Sequence, residues 1–315
     1  MTRQVQDAYI AAATRLVVGK APRGMYRHTR PDDMLAHVLS EAVRRCPGLA
    51  AQDVEDVIVG CAMPEAEQGL NVARIGALLA GFPDSVPGMT INRFCASGLE
   101  AVAMAADRIR VGAADVLIAA GTESMSLIPM GGNKPSFNPA IFARDEHVAI
   151  AYGMGITAEK VAARYSVSRM DQDSYAVESH RRAIAAIDAG EFSAEITPFA
   201  IEERSPDLAA RVVRGTTREA LRDEGPRADT SVEALAQLKP AFSVHGSVTA
   251  GNSSQMSDGA GAVVLMSGAA MKRYGLAPLG RFCSYAVAGV PPELMGIGPI
   301  AAAPRALQRA GVTGN

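Results

Sequence analysis

Apolar residues in the first third of the chain alternate between strand-like runs and helical spacing. Val5–Ala13 carries Tyr9, Ile10 and several Ala, and predicts a strand. Met34, Leu35, Val38, Leu39, Ala42 and Val43 follow helical spacing, with Asp32 or Asp33 as the expected N-cap and Pro47-Gly48 as the stop. Val54–Gly60 is a short β run, Asn71–Ala80 reads as helix, and Gly88–Asn92 as strand. Leu99, Val102, Ala106 and Ile109 mark a helix face that ends at Gly112. Val116–Ala120 is apolar throughout, as in a strand covered on both faces. The alternation predicts an α/β protein with helices packed on the faces of a sheet.

The middle of the chain has a different texture. Residues 128–142 carry three Pro, two Gly and two Asn and read as loop. Helices are expected over Thr157–Tyr165 and Asp171–Ala189, the second capped by Asp171. Glu202–Asp229 is charged and without a clear period. Gly261–Ser267 returns to buried-strand character. A strand over Arg281–Gly289 and a helix over Pro299–Gly311 then echo the strand–loop–helix order at the start of the chain. The expected organisation is a first half over 1–124, an insertion over 125–239, a return to the first half over 240–275, and the start of a second, similar half over 276–315.

Composition narrows the function classes. A 315-residue chain with 48% hydrophobic and 20% charged residues can build a large core. Its formal charge of −2 does not suggest a nucleic-acid partner, and no apolar run reaches the roughly 20 residues of a membrane span. The four cysteines at 46, 61, 95 and 283 are widely spaced without a Cys-x-x-Cys, which argues against a zinc ribbon or a disulfide framework and for a reducing cytoplasm. No His/Asp/Glu cluster has metal-ligand spacing, and Gly153-Met154-Gly155 does not continue as a dinucleotide-binding fingerprint.

Cys95 is the main candidate for chemistry. It lies between a predicted strand and a predicted helix, and Ala96, Ser97 and Gly98 leave space beside it. A thiol at such a turn faces the positive end of a helix, where exposed N–H groups favour a thiolate. The competing reading is a small core hydrophobe, the commoner fate of a cysteine.

The residues around Cys95 carry a resemblance. Asn92-Arg93-Phe94-Cys95-Ala96-Ser97-Gly98-Leu99 resembles the nucleophile segment of the thiolases. Gly121–Ser126 resembles the end of the first thiolase half, and Met154–Lys160 the entry to the loop domain. Leu238–Phe242, Val248–Ser254 and Ser257–Ala260 resemble the coenzyme A side loop, and Gly296-Ile297-Gly298-Pro299 the opening of the second half. The motifs stand in family order over nearly the whole chain.

The resemblance implies a layered α-β-α-β-α fold of two similar halves, the second incomplete here. It also implies an acyltransferase that cleaves 3-ketoacyl-CoA with coenzyme A, or runs the reverse condensation, through an acyl-cysteine at Cys95. Coenzyme A is a substrate, with no permanently bound cofactor. By the same resemblance Arg227 contacts the adenine end, Ser254 with the backbone of Ala250 and Gly251 lines the pantetheine path, and Phe242 and Met154 form its apolar wall. The implied partners are acyl-CoA and CoA, a second copy in a homodimer or homotetramer, and other β-oxidation enzymes. Gly153 leans towards the degradative members of the family.

The family's Asn-Glu-Ala-Phe and Gly-His-Pro motifs and its second active-site cysteine have no counterpart, so the chain reads as C-terminally truncated and residues 1–315 by themselves are expected to lack thiolase activity. His147 and His245 gain no base role, and Cys283 reads as core. Two alternatives stay open at this stage. One is a catalytically inactive thiolase-like protein that binds CoA or a partner. The other is a β-ketoacyl synthase-type condensing enzyme, against which the long insertion argues.

Overall fold

The computed structural model describes residues 5–312. The chain divides into two compact units. Unit 1 comprises Met1–Asn133, Phe192–Gly225 and Met256–Phe282, and unit 2 comprises Lys134–Glu191, Pro226–Gln255 and Cys283–Asn315.

Unit 1 is built on a seven-stranded sheet. Its strands are β1 (Ala8–Arg15), the short β2 (Gly19–Lys20), β3 (Asp56–Gly60), β4 (Gly88–Ile91), β5 (Val116–Ser124), β8 (Ser257–Ser267) and β9 (Gly280–Arg281). The order is β4-β3-β5-β8-β1-β9, with β2 paired to β8. β3 runs parallel to both β4 and β5, whereas β8 runs antiparallel to β5 and β1.

Alternation along the strands sorts the core into two layers. Val57, Val59, Val116, Ile118, Ala120, Val264 and Met266 face α1 (Pro31–Arg44), α2 (Val72–Leu79) and α7 (Gly268–Tyr274). Ile58, Leu117, Ala119 and Leu265 face α3 (Ser97–Arg110), through Ala101, Ala105, Ala106 and Ile109. Successive side chains point to opposite faces, so central strands sandwiched between helices must be apolar at every position. Fully buried Leu35, Leu39, Ile118 and Leu265 each contribute about 1.5–3 kcal/mol of burial. Unit 1 thereby supplies an α-β-α stack of the expected architecture.

Four local expectations are corrected. Neither Asp32 nor Asp33 caps α1: Arg30 takes the N-cap position, Pro31 opens the helix, and Asp32 pairs with Arg30 at 2.8 Å. Pro suits that place because its missing N–H would have no helical partner. The second middle helix, α5 (Arg169–Asp188), is capped by Ser168, and Asp171 closes a reciprocal capping box from N3. The charged stretch from 202 folds as a hairpin of β6 (Phe199–Asp207) and β7 (Val212–Ala220). β7 is exposed along nearly all its length, so it shows no apolar alternation. Ladder hydrogen bonds hold it, with the pairs Arg218–Glu203 at 3.2 Å and Arg214–Asp207 at 2.7 Å.

The fourth correction concerns Arg281–Gly289. Only Gly280 and Arg281 form a strand, on the outer edge of β1. Phe282 N–H still reaches the Ala8 carbonyl at 2.9 Å, but β1 begins at Ala8 and offers no further partner. A strand extends only as far as a neighbour can take its hydrogen bonds.

Unit 2 contains α4 (Met154–Arg164), α5, the short α6 (Val232–Ala236) and α8 (Gly298–Ala310). Among the described residues no helix is long and apolar enough to cross a membrane.

Candidate active site

Cys95 sits in the connection between β4 and α3, in unit 1, with its side chain exposed. The residue before it, Phe94, has φ +47°, in the left-handed region. A non-glycine residue there costs about 1–3 kcal/mol and persists only where its surroundings fix it. The fixing groups are close by. Phe94 N–H donates to Asn92 Oδ1 at 2.7 Å, and Ser97 Oγ donates to the Phe94 carbonyl at 2.6 Å. Ser97 Oγ also accepts from Arg93 N–H at 2.7 Å, and the Ser97 N–H reaches the Phe94 carbonyl at 2.9 Å. Arg93 is further tied to Glu100, one turn into α3, at 2.6 Å.

Glycines let the helix start approach the sheet. Gly60 at the end of β3 lies in register with Gly121 of β5. A β carbon on Gly60 would stand 2.5 Å from the Ser97 carbonyl carbon and 2.6 Å from Gly98 N. Gly98 has open space where a side chain would project.

Behind the turn lies a polar network. Asn92 Nδ2 donates to the Ala62 carbonyl at 2.9 Å, and Ala62 N–H donates to Glu123 at 2.6 Å. Gln68, fully buried, binds Glu123, the Met63 carbonyl at 2.9 Å and Ser124 N–H at 3.0 Å. Ser124 and Ser126 converge on buried Asp258, which also accepts Ser126 N–H at 2.9 Å. Residues 121–124 of β5 pair with 258–261 of β8, and Ser257–Ala260 lies in β8 and is not a loop. Burial, with the Glu123 charge added, pushes the Cys61 thiol up to about 12. Burial alone pushes Cys46 up to about 11.

The other candidate residues lie in unit 2. Met154 opens α4 and is exposed, and the neighbouring Gly155 is pressed against the ring of Phe242, itself 44% exposed. Ala250 and Ser254 are exposed on one loop, and Gly251 packs on Leu235 and Leu238. That loop is held from below. The Glu159 carboxylate accepts Ser247 N–H at 2.9 Å and Val248 N–H at 2.9 Å. Asn252 accepts Thr249 N–H at 2.7 Å and donates to buried Asp173 at 2.9 Å. Asp173 pairs with Arg169 at 2.8 Å, and Arg169 also donates to the carbonyls of Leu235 and Leu238. Arg227 is exposed and forms a two-pronged pair with Asp229 at 2.8 and 3.1 Å, which holds the Asp229 carboxyl below its ordinary range. Its backbone N–H rests on His180 Nδ1 at 3.2 Å.

Residues 8–269 match the thiolase N-terminal domain. The chain belongs to the thiolase family. It is 46% identical over 314 residues to the 3-ketoacyl-CoA thiolase of Bacillus subtilis (strain 168), covering 98% of this chain and 78% of that protein. It is 42% identical to an acetyl-CoA acetyltransferase of Pseudomonas aeruginosa, with the same coverage of each chain. Among solved structures, the Bacillus anthracis acetyl-CoA acetyltransferase superposes with a TM-score of 0.84 at 36% identity, over 99% of this chain and 78% of that one.

Within this thiolase-family chain, the residues around Phe242 and Gly251 come together in unit 2, while Cys95 stands in unit 1. Cys283 is not core: it is exposed and follows β9 rather than lying in a strand. Asn92, Ser97, Glu123, Glu159 and Asp173 support the site without being marked by a motif or period of their own. Asn92 and Ser97 flank the cysteine in the nucleophile segment, and that spacing was the available signal. Glu159 and Asp173 lie some 80 residues or more from the loop they hold, beyond any local pattern.

Proposed function

We propose that this protein is a thiolase-type acyltransferase in which Cys95 carries the acyl group. The Cys95 sulfur adds to the 3-keto carbonyl of a 3-ketoacyl-CoA, and the C2–C3 bond breaks. The acyl group stays on sulfur as a thioester, and C2 takes a proton to leave as acetyl-CoA. The thiol of a second CoA then attacks acyl-Cys95 and releases the shortened acyl-CoA, returning a proton to the cysteine. Both acyl carriers are thioesters, so the transfer is nearly balanced in energy. The observation that carries this reading is an exposed thiol held at a strained strand-to-helix turn in a chain 46% identical to a 3-ketoacyl-CoA thiolase.

In this reading Arg227 meets the adenine end of CoA, where its flat guanidinium can stack. Ser254 and the backbone of Ala250 and Gly251 guide the pantetheine, and Met154 and Phe242 supply its apolar wall. The exposure of these side chains and the rigid seating of the 247–253 loop support it. A homo-oligomer is part of the proposal: β4 is an open sheet edge, and Leu70, Leu79, Phe94 and Leu99 are exposed in unit 1. A reducing cytoplasm suits an enzyme that works through an exposed thiol.

Two measurements test the reading. Incubation with acetyl-CoA should add one acetyl group to Cys95, seen by peptide mass spectrometry and absent in Cys95→Ala; an adduct elsewhere, or none, counts against it. Titration calorimetry with CoA should show weaker binding for Arg227→Ala, by about 3- to 30-fold for a lost stacking and charge contact. Unchanged binding removes Arg227 from the site.

A further inference from the structure

We propose that Asn92 and Ser97 are positioning residues that clamp the Phe94 peptide and so fix the Cys95 sulfur at the start of α3. This inference rests on Cys95 being the nucleophile.

Phe94 occupies φ +47° without being glycine, so its conformation must be enforced. Both of its backbone polar groups are held by side chains from the two sides of the turn. Asn92 Oδ1 takes the N–H at 2.7 Å, and Ser97 Oγ gives its proton to the carbonyl at 2.6 Å. Each clamp is itself anchored. Ser97 is 3% exposed, lies over Gly60, and accepts Arg93 N–H at 2.7 Å. Asn92 donates to the Ala62 carbonyl at 2.9 Å, and the Ala62 peptide is tied at its other end to Glu123.

The roles of the two side chains are distinct. Ser97 must donate to one group and accept from another, which a hydroxyl can do and a methyl cannot. Asn92 needs a carbonyl oxygen for Phe94 and an NH2 for Ala62. Loss of either clamp releases a conformation that costs energy, and the turn relaxes towards negative φ. Cys95 is the next residue, so the sulfur swings away from the helix start. A displacement of about 1 Å can cost a positioned group as much as 100-fold in rate.

The test uses the full chain and the iodoacetamide rate at each exposed thiol, read by mass spectrometry across pH 6–9. Cys283, exposed in the other unit, is the internal reference. Ser97→Ala should slow Cys95 by roughly 2- to 30-fold, as the sulfur loses the support of the helix start, and leave Cys283 unchanged. Adding Phe94→Gly should recover part of that loss, because glycine enters positive φ without the steric cost that the clamp offsets. Asn92→Asp keeps the acceptor for Phe94 and should slow Cys95 less than Asn92→Leu. A Cys95 rate unchanged in Ser97→Ala, a parallel fall at Cys283, or no recovery with Phe94→Gly would overturn the clamp. If wild-type Cys95 labels no faster than Cys283, the nucleophile reading falls, and the clamp with it.

Discussion

Gly60 lies directly against Ser97: a β carbon on Gly60 would stand 2.5 Å from the Ser97 carbonyl carbon. The last residue of β3 thus sets how close α3 comes to the sheet, and with it where the Cys95 turn sits. Gly60→Ala should push the helix start outward. Overpacking of this kind costs about 1–3 kcal/mol. Urea unfolding should show the loss, and Cys95 alkylation should slow in the folded protein. A variant as stable as the parent would mean that α3 can shift freely.

The four thiols should separate by burial. Cys46 and Cys61 are buried and pushed up to about 11 and about 12 respectively, whereas Cys95 and Cys283 are exposed. Under native conditions at pH 8, iodoacetamide should label Cys95 first, and Cys46 and Cys61 only after unfolding. Early labelling of Cys61 would contradict its burial in the core of unit 1.

Glu159 should control coenzyme A binding without belonging to the binding surface. Its carboxylate collects the N–H groups of Ser247 and Val248 at the root of the 247–253 loop. Glu159→Leu removes the acceptors and leaves two N–H groups without partners, each worth about 1–3 kcal/mol when buried. CoA affinity should fall by roughly 10-fold or more by calorimetry, and Glu159→Gln, which keeps one acceptor, should fall less. Equal affinity in all three proteins would show that the loop is held by its other contacts alone.

His37 should make unit 1 sensitive to mild acid. Its ring sits edge-on to Phe199 at 5.1 Å and meets Thr197 Oγ1 at 3.2 Å. Burial pushes it below its ordinary value, although nearby Glu41 pulls the other way. A histidine depressed in the folded state binds its proton more readily when unfolded, at about 6.5. Its contribution is therefore complete above that value and is lost as pH falls towards the lower folded value. The melting temperature should fall between pH 7 and pH 5, and His37→Gln should flatten that slope. An identical slope in the variant would assign the acid sensitivity to other groups.

Much of unit 1 was legible because its physics is local. Val116–Ala120 announced a doubly covered strand by being apolar at every position, and it became the first five residues of β5. The turn at Cys95 was legible as strand, small residues and helix in succession. The β6–β7 hairpin was not, because exposed strands held by ladder bonds and ion pairs leave no hydrophobic period. Cys283 resembles core in the sequence because Arg281–Gly289 reads as a strand, and burial depends on neighbours that the segment does not contain.

By itself, the sequence determined the α/β class, the helix and strand faces of unit 1, the thiolase resemblance and the prominence of Cys95. Each of these rests on side-chain type at short spacing, where polarity and backbone preference act directly. Only the tertiary structure decided that Asn92 and Ser97 grip Phe94 at positive φ, that Glu123 braces Ala62, and that Glu159 and Asp173 seat a loop some 80 residues away. Those contacts follow from how distant segments meet once strands pair and helices pack. A hydrogen bond needs its two partners within about 3 Å, a condition that separation along the chain leaves open and the folded backbone fulfils.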